Sequence, residues 1–352
     1  MAILYAFQAT GNGHVSRAKT IIPILKRYGE VEVLASGTQS SLLKEIPVNY
    51  HLQGLSFHYG QRGDLNYFST VSQIKLRQFW NDIHKISLNQ YQLIINDFEP
   101  VTAGAALKTK KNIVGLSHQA SLLSPLAPRP TQKSKVGELL LRHFAPAPVQ
   151  YGFHFGAYDH QIFTPVIREE IRALNCNYDK QVQVYLPALD DWTLVQIFIK
   201  IPEQLWIIYS RNARSEIAFR NIKIKPISSY TWVEDLASSG GVIMGAGFEG
   251  PAEVLHLGLK LLVLPIKGQY EQYCNAEALA RLGVPVIWAP ADLTPQLLRQ
   301  WLWRYQPPDI HYEDQTEKII AFILERHYDM KPNVFASSWS HGQWLTPNSQ
   351  YP

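Results

Sequence analysis

Two glycine-rich turns in this chain stand beside side chains that can hold anions and move protons. The first turn is Gly11-Asn12-Gly13-His14, and the second is Gly245-Ala246-Gly247-Phe248-Glu249-Gly250. Each follows a short apolar run, and glycine lets a backbone turn tightly and bring its amides close to a ligand. A helix that begins at such a turn directs N–H groups and the positive end of its dipole at negative charge. Both turns therefore predict contacts with phosphate groups.

Polar side chains follow the second turn at spacings that suit a sugar. Glu253 comes one turn into the helix that the glycines open, within reach of a ribose beside the phosphates. Amide and carboxylate groups can donate to and accept from sugar hydroxyls, and such groups follow the run Leu261–Leu264. These are Gln269, Glu271, Gln272 and Asn275. The segment 242–277 thus predicts a nucleotide-sugar site, the alternatives being an acid that complements the helix dipole and a polar surface loop.

His14, at the head of the first predicted helix, is the residue that can transfer a proton. An imidazole changes charge near neutral pH, so it can act as a general base in a cleft. The alternative is that His14 caps the helix or packs against it. A dinucleotide site is excluded here, because Ser16 replaces the third glycine of that fingerprint and Ser36-Gly37 replace its acid.

The elements that must position these residues alternate between strands and helices. Continuous apolar strands joined by helical crossovers predict α/β domains with doubly wound parallel sheets. We expect a Rossmann-like domain at 1–160, a second at 161–328 and a tail at 329–352, with helix 313–327 able to pack back on the first domain. The predicted strands are 3–7, 30–36, 93–96, 112–117, 182–186, 205–209, 222–225, 241–244 and 260–264, and the helices are 15–28, 102–108, 192–199, 251–256, 273–282 and 313–327.

The composition indicates which classes of binding partner are not expected. The net charge is +4 with 18% charged residues, and the basic residues are scattered, so a nucleic-acid surface is not indicated. The two cysteines, Cys176 and Cys274, lie far apart and predict neither a disulfide nor a zinc site, which fits a reducing cytoplasm. The first residues do not read as a signal peptide, and no apolar run is long enough to span a membrane.

Four further motifs, taken in order with the two turns, resemble the GT-B glycosyltransferases. They are GNGHVSRA (11–18), NDFEP (96–100), GLSHQ (115–119) and FTPVIR (163–168). The chain resembles the branch with the UDP-N-acetylglucosamine transferase that makes lipid II, and a prokaryotic group with GTGNGH-like starts. The resemblance implies two Rossmann-like domains facing across a cleft. It also implies transfer of a sugar from a UDP-linked donor to an acceptor hydroxyl, with no cofactor.

The resemblance also implies roles for individual residues. His14 matches the proposed base, Gly245–Gly250 the donor-phosphate loop and Glu253 the ribose contact. Asp97 and Glu99 follow a first-domain strand on the acceptor side, so either is an alternative base, and His118 is an acceptor-side candidate. Residues matched to donor binding are Gly11, Asn12, Gly13, Arg211, Gly245, Ala246, Gly247, Phe248, Glu249, Gly250, Glu253, Gln269, Glu271, Gln272 and Asn275.

One segment departs from the resemblance. Where the lipid II enzyme has a glycine-rich turn, the chain reads Pro187-Ala188-Leu189-Asp190-Asp191, which is bulky and acidic. Arg211 or Lys267 is then expected to supply the cation that phosphates need. Retaining relatives often carry two glutamates eight positions apart in the donor loop, but Leu257 and Leu261 stand eight after Glu249 and Glu253. This absence favours inversion, and no metal site is predicted.

Two questions stay open at this stage. A UDP-N-acetylglucosamine 2-epimerase has the same two-domain fold, and a non-catalytic nucleotide-sugar-binding protein would keep the glycine turns. The acceptor, lipid-linked or a glycan, is also undetermined. Segment 129–142 mixes basic and apolar residues, so it is either an ordinary amphipathic helix or a contact with the inner face of the cytoplasmic membrane.

Overall fold

The first domain is built on a seven-stranded sheet in which every strand is parallel to its neighbours. The computed structural model describes residues 2–37, 43, 46–55, 76–177 and 181–328. The strand order is β3-β2-β1-β4-β5-β6-β7. The bounds are β1 (Ala2–Gln8), β2 (Glu30–Ser36), β3 (Tyr50–Leu52), β4 (Leu93–Asp97), β5 (Val114–Ser117), β6 (Val149–Phe153) and β7 (Ile162–Phe163).

Helices cover both faces of this sheet, which explains why its central strands are apolar throughout. α1 turns Val15, Ala18 and Leu25 inward at helical spacing, and α3 packs through small residues such as Ala103. The helix bounds are α1 (Asn12–Lys26), α2 (Leu76–Lys85), α3 (Pro100–Thr109), α4 (His118–Ser121), α5 (Lys135–His143) and α6 (Glu169–Arg172).

The second domain repeats the plan on a six-stranded sheet of order β10-β11-β9-β8-β12-β13. Only β10 is antiparallel to its neighbour, as the outer strand of a hairpin with β11. The strands are β8 (Gln181–Tyr185), β9 (Leu205–Ser210), β10 (Ile217–Phe219), β11 (Ile222–Pro226), β12 (Ser239–Gly245) and β13 (Lys260–Leu264). The helices are α7 (Asp191–Phe198), α8 (Ser229–Ala237), α9 (Glu249–His256), α10 (Tyr270–Arg281), α11 (Pro295–Arg304) and α12 (Thr316–His327).

The predicted class, α/β with two Rossmann-like doubly wound domains, is confirmed. Every predicted element within the described residues is present, with ends within three residues of those expected. The pattern missed short or half-exposed elements, such as β10, whose three residues are all exposed, and α8, which has few fully buried residues. Periodicity is weak where an element buries little apolar surface.

The change of sheet occurs between Phe163 and Gln181, because β7 still pairs with β6. The predicted boundary after residue 160 lies just before β7. α12 returns to the first domain and contacts α1, where Arg27 Nη1 donates to Glu317 Oε1 at 2.8 Å. The predicted tail, 329–352, lies outside the described residues. No helix in the described ranges is long and apolar enough to cross a membrane.

Candidate active site

The first domain places a histidine and an aspartate together where its strand order reverses. β1 lies between β2 and β4. The connections that follow β1 and β4 therefore cross opposite faces of the sheet, and this opens a crevice at the carboxyl ends of the two strands. His14, near the start of α1, and Asp97, the last residue of β4, meet there with Nδ1 2.9 Å from Oδ1. Arg17 Nη2 lies 3.0 Å from the same Nδ1. A carboxylate only accepts and a guanidinium only donates, so Nδ1 can serve one of the two. We assign it to the shorter contact, with Asp97, which places the proton on Nδ1 and leaves Nε2 able to take one.

Arg17, one turn further along α1, completes this cluster. Its Nε donates to Asp97 Oδ2 at 2.8 Å and its Nη2 to Asp97 Oδ1 at 2.7 Å. The side chain is 1% exposed, and Nη1 contacts Glu249 of the second domain. Tyr5 adds a hydrogen bond from its hydroxyl to Asp97 Oδ2 at 3.3 Å. A buried cation with two carboxylate partners thus joins the two glycine turns.

These contacts decide the protonation of Asp97. Burial by itself would raise the pKa of this carboxyl, but Arg17 and His14 outweigh burial and lower the pKa to about 2. Such a weak base accepts a proton poorly near neutral pH. Its position supports orientation of His14 rather than proton abstraction.

Glu99, the other predicted carboxylate, is engaged as a helix cap. Its two oxygens accept from the backbone N–H groups of Val101 at 2.7 Å and Thr102 at 2.6 Å, at the start of α3. The residue is fully buried, and burial raises its pKa. Phe98, between Asp97 and Glu99, has a φ of 54°, which turns the chain so that the two acids serve different contacts. Glu99 therefore caps α3, and its role as a base stays a prediction.

His118 and Asn275 join the two domains beside this cluster. His118 Nδ1 lies 2.8 Å from Phe153 O, and Nε2 lies 2.8 Å from Asn275 Oδ1. Asn275 Nδ2 donates to Ala246 O at 3.1 Å, and Phe248 stacks on His118 with centroids 4.0 Å apart. Both polar side chains are buried, so direct contact of either with a sugar requires the domains to separate.

The acidic segment that departs from the resemblance has a structural role. Asp190 caps α7, accepting from the N–H of Thr193 at 2.9 Å, and Asp191 accepts from Ser210 Oγ at 2.6 Å. The N-terminus of α7 is thereby neutralised by the chain itself. At α9 the N-cap residue is Phe248, which has no capping group, so this second helix N-terminus keeps its backbone donors.

A cavity of about 430 Å³ lies at the carboxyl ends of β8, β12 and β13. Gly245 lines it, and Lys267 is its charged side chain. A Cβ added at Gly247 would meet no atom within 4 Å, so the neighbouring turn is open to a ligand. Arg211, the other predicted cation, is exposed just after β9. The cavity is lined by Leu186, Pro187, Ala188, Leu189, Gly245, Leu264, Pro265, Ile266, Lys267, Gly268 and Pro290.

The remaining residues predicted to bind the donor differ in whether their side chains already contact other protein groups. Arg168 donates to both oxygens of Glu253, at 2.6 and 2.9 Å, so a ribose would have to share this carboxylate. Gln272 Oε1 accepts from the Ile266 N–H at 2.9 Å and so supports the cavity wall. Gln269 is the N-cap of α10, with its side chain making no capping bond. Their contacts with a donor remain predictions.

Three residues of this site were not singled out from the sequence: Arg17, Gln119 and Arg168. All three lie within the motifs GNGHVSRA, GLSHQ and FTPVIR. Arg17 stands three residues after His14, which places both on one helix face. An arginine on an otherwise apolar face was the available signal. The described residues contain no group of three His, Cys, Asp or Glu side chains arranged to hold a metal ion.

Two Rossmann-like sheets whose reversal points meet across a crevice define the GT-B class of glycosyltransferases. The glycosyl transferase family 1 domain matches residues 1–306, and the chain belongs to this family. It is therefore a glycosyltransferase, which separates it from the epimerase and from the non-catalytic binding protein considered above. No curated protein is similar enough in sequence to match.

Solved structures share this fold at low sequence identity. Phytolacca americana UGT2 complexed with UDP-2-fluoro-glucose and pterostilbene matches with a TM-score of 0.58 and 12% identity, over 93% of this chain and 99% of that one. Spinosyn rhamnosyltransferase SpnG complexed with thymidine diphosphate matches with a TM-score of 0.55 and 13% identity, over 93% of this chain and 96% of that one. MurG of Acinetobacter baumannii matches with a TM-score of 0.53 and 13% identity, over 92% of this chain and 99% of that one. The specific branch suggested by the motifs is not established by these matches.

Proposed function

We propose that the protein transfers a sugar from a nucleoside-diphosphate sugar, UDP-linked, to an acceptor hydroxyl, with inversion and without a metal. The observation that carries the proposal is the meeting of His14 and the second-domain polar run across the crevice. Gln119 Nε2 lies 3.5 Å from His14 Nε2 and donates to Glu271 Oε2 at 3.0 Å. A base and a sugar-binding carboxylate are thus separated by one side chain.

The donor nucleotide is assigned to the 430 Å³ cavity and the adjoining turn. The nucleobase would lie among the apolar walls, and the diphosphate would lie at Gly245–Gly250, where α9 supplies backbone N–H groups. Lys267 supplies the positive charge that the Asp190 segment does not. The ligands of the UGT2 and SpnG complexes, a UDP-sugar and a thymidine diphosphate, support a nucleoside diphosphate here.

The chemical step follows from the tautomer of His14. With Nδ1 hydrogen-bonded to Asp97, Nε2 accepts the proton of the acceptor hydroxyl while its oxygen attacks the anomeric carbon. The bond to the diphosphate breaks with its electron pair on the leaving oxygen, and the donors at the start of α9 and Lys267 stabilise that charge. One displacement inverts the anomeric centre.

A lipid-linked or glycan acceptor is proposed together with contact at the inner face of the cytoplasmic membrane. α5 buries Gly137 and Leu141 but leaves Val136 and Leu139 half exposed or more, beside Lys135 and Arg142. Exposed apolar groups beside basic ones suit an anionic lipid surface. Co-sedimentation with phosphatidylglycerol vesicles tests this, and binding unchanged by Leu139→Ser would contradict it.

The proposed donor is tested by a thermal-shift screen across UDP-, GDP- and dTDP-sugars, followed by nucleotide-release assays. UDP-sugars should raise the melting temperature most and release UDP slowly in water. EDTA should leave the release rate unchanged. A larger shift with another nucleotide would reassign the donor, and loss of activity with EDTA would overturn the metal-independent step.

A further inference from the structure

Gln119 lies in the crevice between His14 and Glu271, and one of its polar atoms has no hydrogen-bond partner among the described residues. It is the second residue of α4, which begins where β5 ends, next to β4 and therefore next to Asp97. Ser117 fixes this turn by accepting from the Ala120 N–H at 3.1 Å. The Gln119 side chain is 5% exposed, so its amide is held between the two domains.

The neighbours of this amide determine which way it faces. Glu271 Oε2 lies 3.0 Å from Nε2, and a carboxylate accepts only, so the NH₂ group must face Glu271. The same NH₂ lies 3.5 Å from His14 Nε2, the nitrogen that carries no proton in the assigned tautomer. The Gln119 carbonyl oxygen, Oε1, is buried and accepts no hydrogen bond from the described residues.

An amide held in this way offers a donor and an acceptor side by side. Its second N–H can donate to a hydroxyl oxygen whose own proton points at His14 Nε2. Its carbonyl oxygen needs a further donor, since a buried acceptor without a hydrogen bond destabilises the site. A second hydroxyl next to the reacting one would supply it.

We propose that Gln119 selects an acceptor with two adjacent hydroxyl groups, as a sugar ring has, rather than one with an isolated hydroxyl. This inference rests on the proposed function and narrows its acceptor. Because Gln119 is buried, the acceptor enters when the domains separate. The reacting hydroxyl then lies within hydrogen-bond distance of both Gln119 Nε2 and His14 Nε2, and its neighbour donates to Gln119 Oε1. The first proton passes to His14, the oxygen bonds to the anomeric carbon, and the nucleoside diphosphate leaves with the electron pair of the broken bond.

The position of Gln119 favours the acceptor over the donor sugar as its ligand. It belongs to the first domain and adjoins the base, whereas Glu271, 35% exposed on the second domain, faces the donor side. Gln119 touches the reacting hydroxyl in this arrangement. Loss of its amide should therefore lower the preference for an acceptor with two adjacent hydroxyls over an acceptor with one.

The test compares two alcohols that differ by one hydroxyl, trans-cyclohexane-1,2-diol and cyclohexanol, as accelerators of UDP release. UDP-glucose and UDP-N-acetylglucosamine serve as donors, with product confirmed by mass spectrometry. In the native protein the diol should accelerate UDP release about tenfold more than cyclohexanol does. Its two hydroxyls alone would give a ratio of about two, and the remainder measures the contact with Gln119 Oε1. The ratio should fall to about two in Gln119→Met and Gln119→Ala.

Controls separate this inference from the proposed function. Gln296→Met, on the exposed face of α11, should keep the native ratio, and matching melting curves should show that the Gln119 variants fold. A native ratio near two, a ratio unchanged in the Gln119 variants, or UDP release that neither alcohol accelerates would overturn the inference alone. Failure of every UDP-, GDP- and dTDP-sugar to release its nucleotide would overturn the proposed function, and the inference with it.

Discussion

The two sheets share the order of the five strands around the reversal, β3-β2-β1-β4-β5 and β11-β9-β8-β12-β13, but the two domains use the crevice there in different ways. In the first, Arg17 and Asp97 form a buried ion pair, and the part-buried His14 contacts Asp97. In the second, the corresponding position holds a cavity with glycine, proline and leucine walls and Lys267 as its charged side chain. The sheet therefore supplies a crevice in both cases, and the side chains at the strand ends decide what each crevice does.

The two sites differ in how far they are open to solvent. A buried ion pair of Arg17 and Asp97 holds the imidazole of His14 in one orientation, which proton transfer requires. An open cavity with free backbone donors and apolar walls suits the binding of a nucleotide. Neither half is complete alone, because Arg17 draws its second carboxylate, Glu249, from the other domain.

The largest expected effect concerns the proton-transfer half. Replacing His14→Ala should lower sugar-transfer turnover about 10²–10⁴-fold, because the general base is lost. Donor affinity should stay unchanged, since the cavity lies on the second domain. Initial rates and isothermal titration with a UDP-sugar measure the two quantities. His84→Ala, exposed on α2, is the matched control, and normal turnover in His14→Ala would remove His14 from the mechanism.

The next effect is on stability and compares a buried arginine with an exposed one. Arg17→Met leaves Asp97 buried without its cation, so the free energy of unfolding should fall by about 3–5 kcal/mol. Arg27→Met breaks only the exposed pair with Glu317 and should cost less than about 1 kcal/mol. Urea unfolding of both variants gives the values. Equal losses would show that the Arg17 cluster is not a special feature of the first crevice.

A smaller effect should appear in acid. The folded-state pKa of Asp97, about 2, lies below its ordinary value of 3.8, so ionised Asp97 stabilises the fold above pH 3.8. This contribution, about 2 kcal/mol, is lost as the pH falls through 2. Unfolding free energies from pH 5 down to pH 2 should therefore decline more steeply in the native protein than in Asp97→Asn. Parallel curves would contradict the lowered pKa.

The smallest effect concerns the binding half. Lys267→Ala should weaken UDP binding about five- to tenfold, because one exposed cation near the diphosphate is lost. The loss should shrink at high salt, since screening already weakens that contact. Titration at two ionic strengths measures it, with Lys108→Ala on the first domain as control. An unchanged dissociation constant would move the diphosphate away from Lys267.

Both sheets were predictable because their central strands are unbroken apolar runs and their turns carry glycine. His14 and Asp97 were identified as candidates since each stands where a predicted strand or turn ends. The distribution of roles was not predictable. Glu99 resembles Asp97 in sequence, yet the positive φ of Phe98 directs it to cap α3, and Asp190 caps α7 instead of opposing phosphates.

The sequence by itself determined the fold class, the two glycine turns and the imidazole that can act as a base, because these depend on local residue type and spacing. Only the tertiary structure decided how the charges pair. Arg17 and Glu249 are 232 positions apart, and Gln119 and Glu271 are 152 apart. Such contacts depend on how two separately folded sheets face each other, and no local pattern encodes that relation.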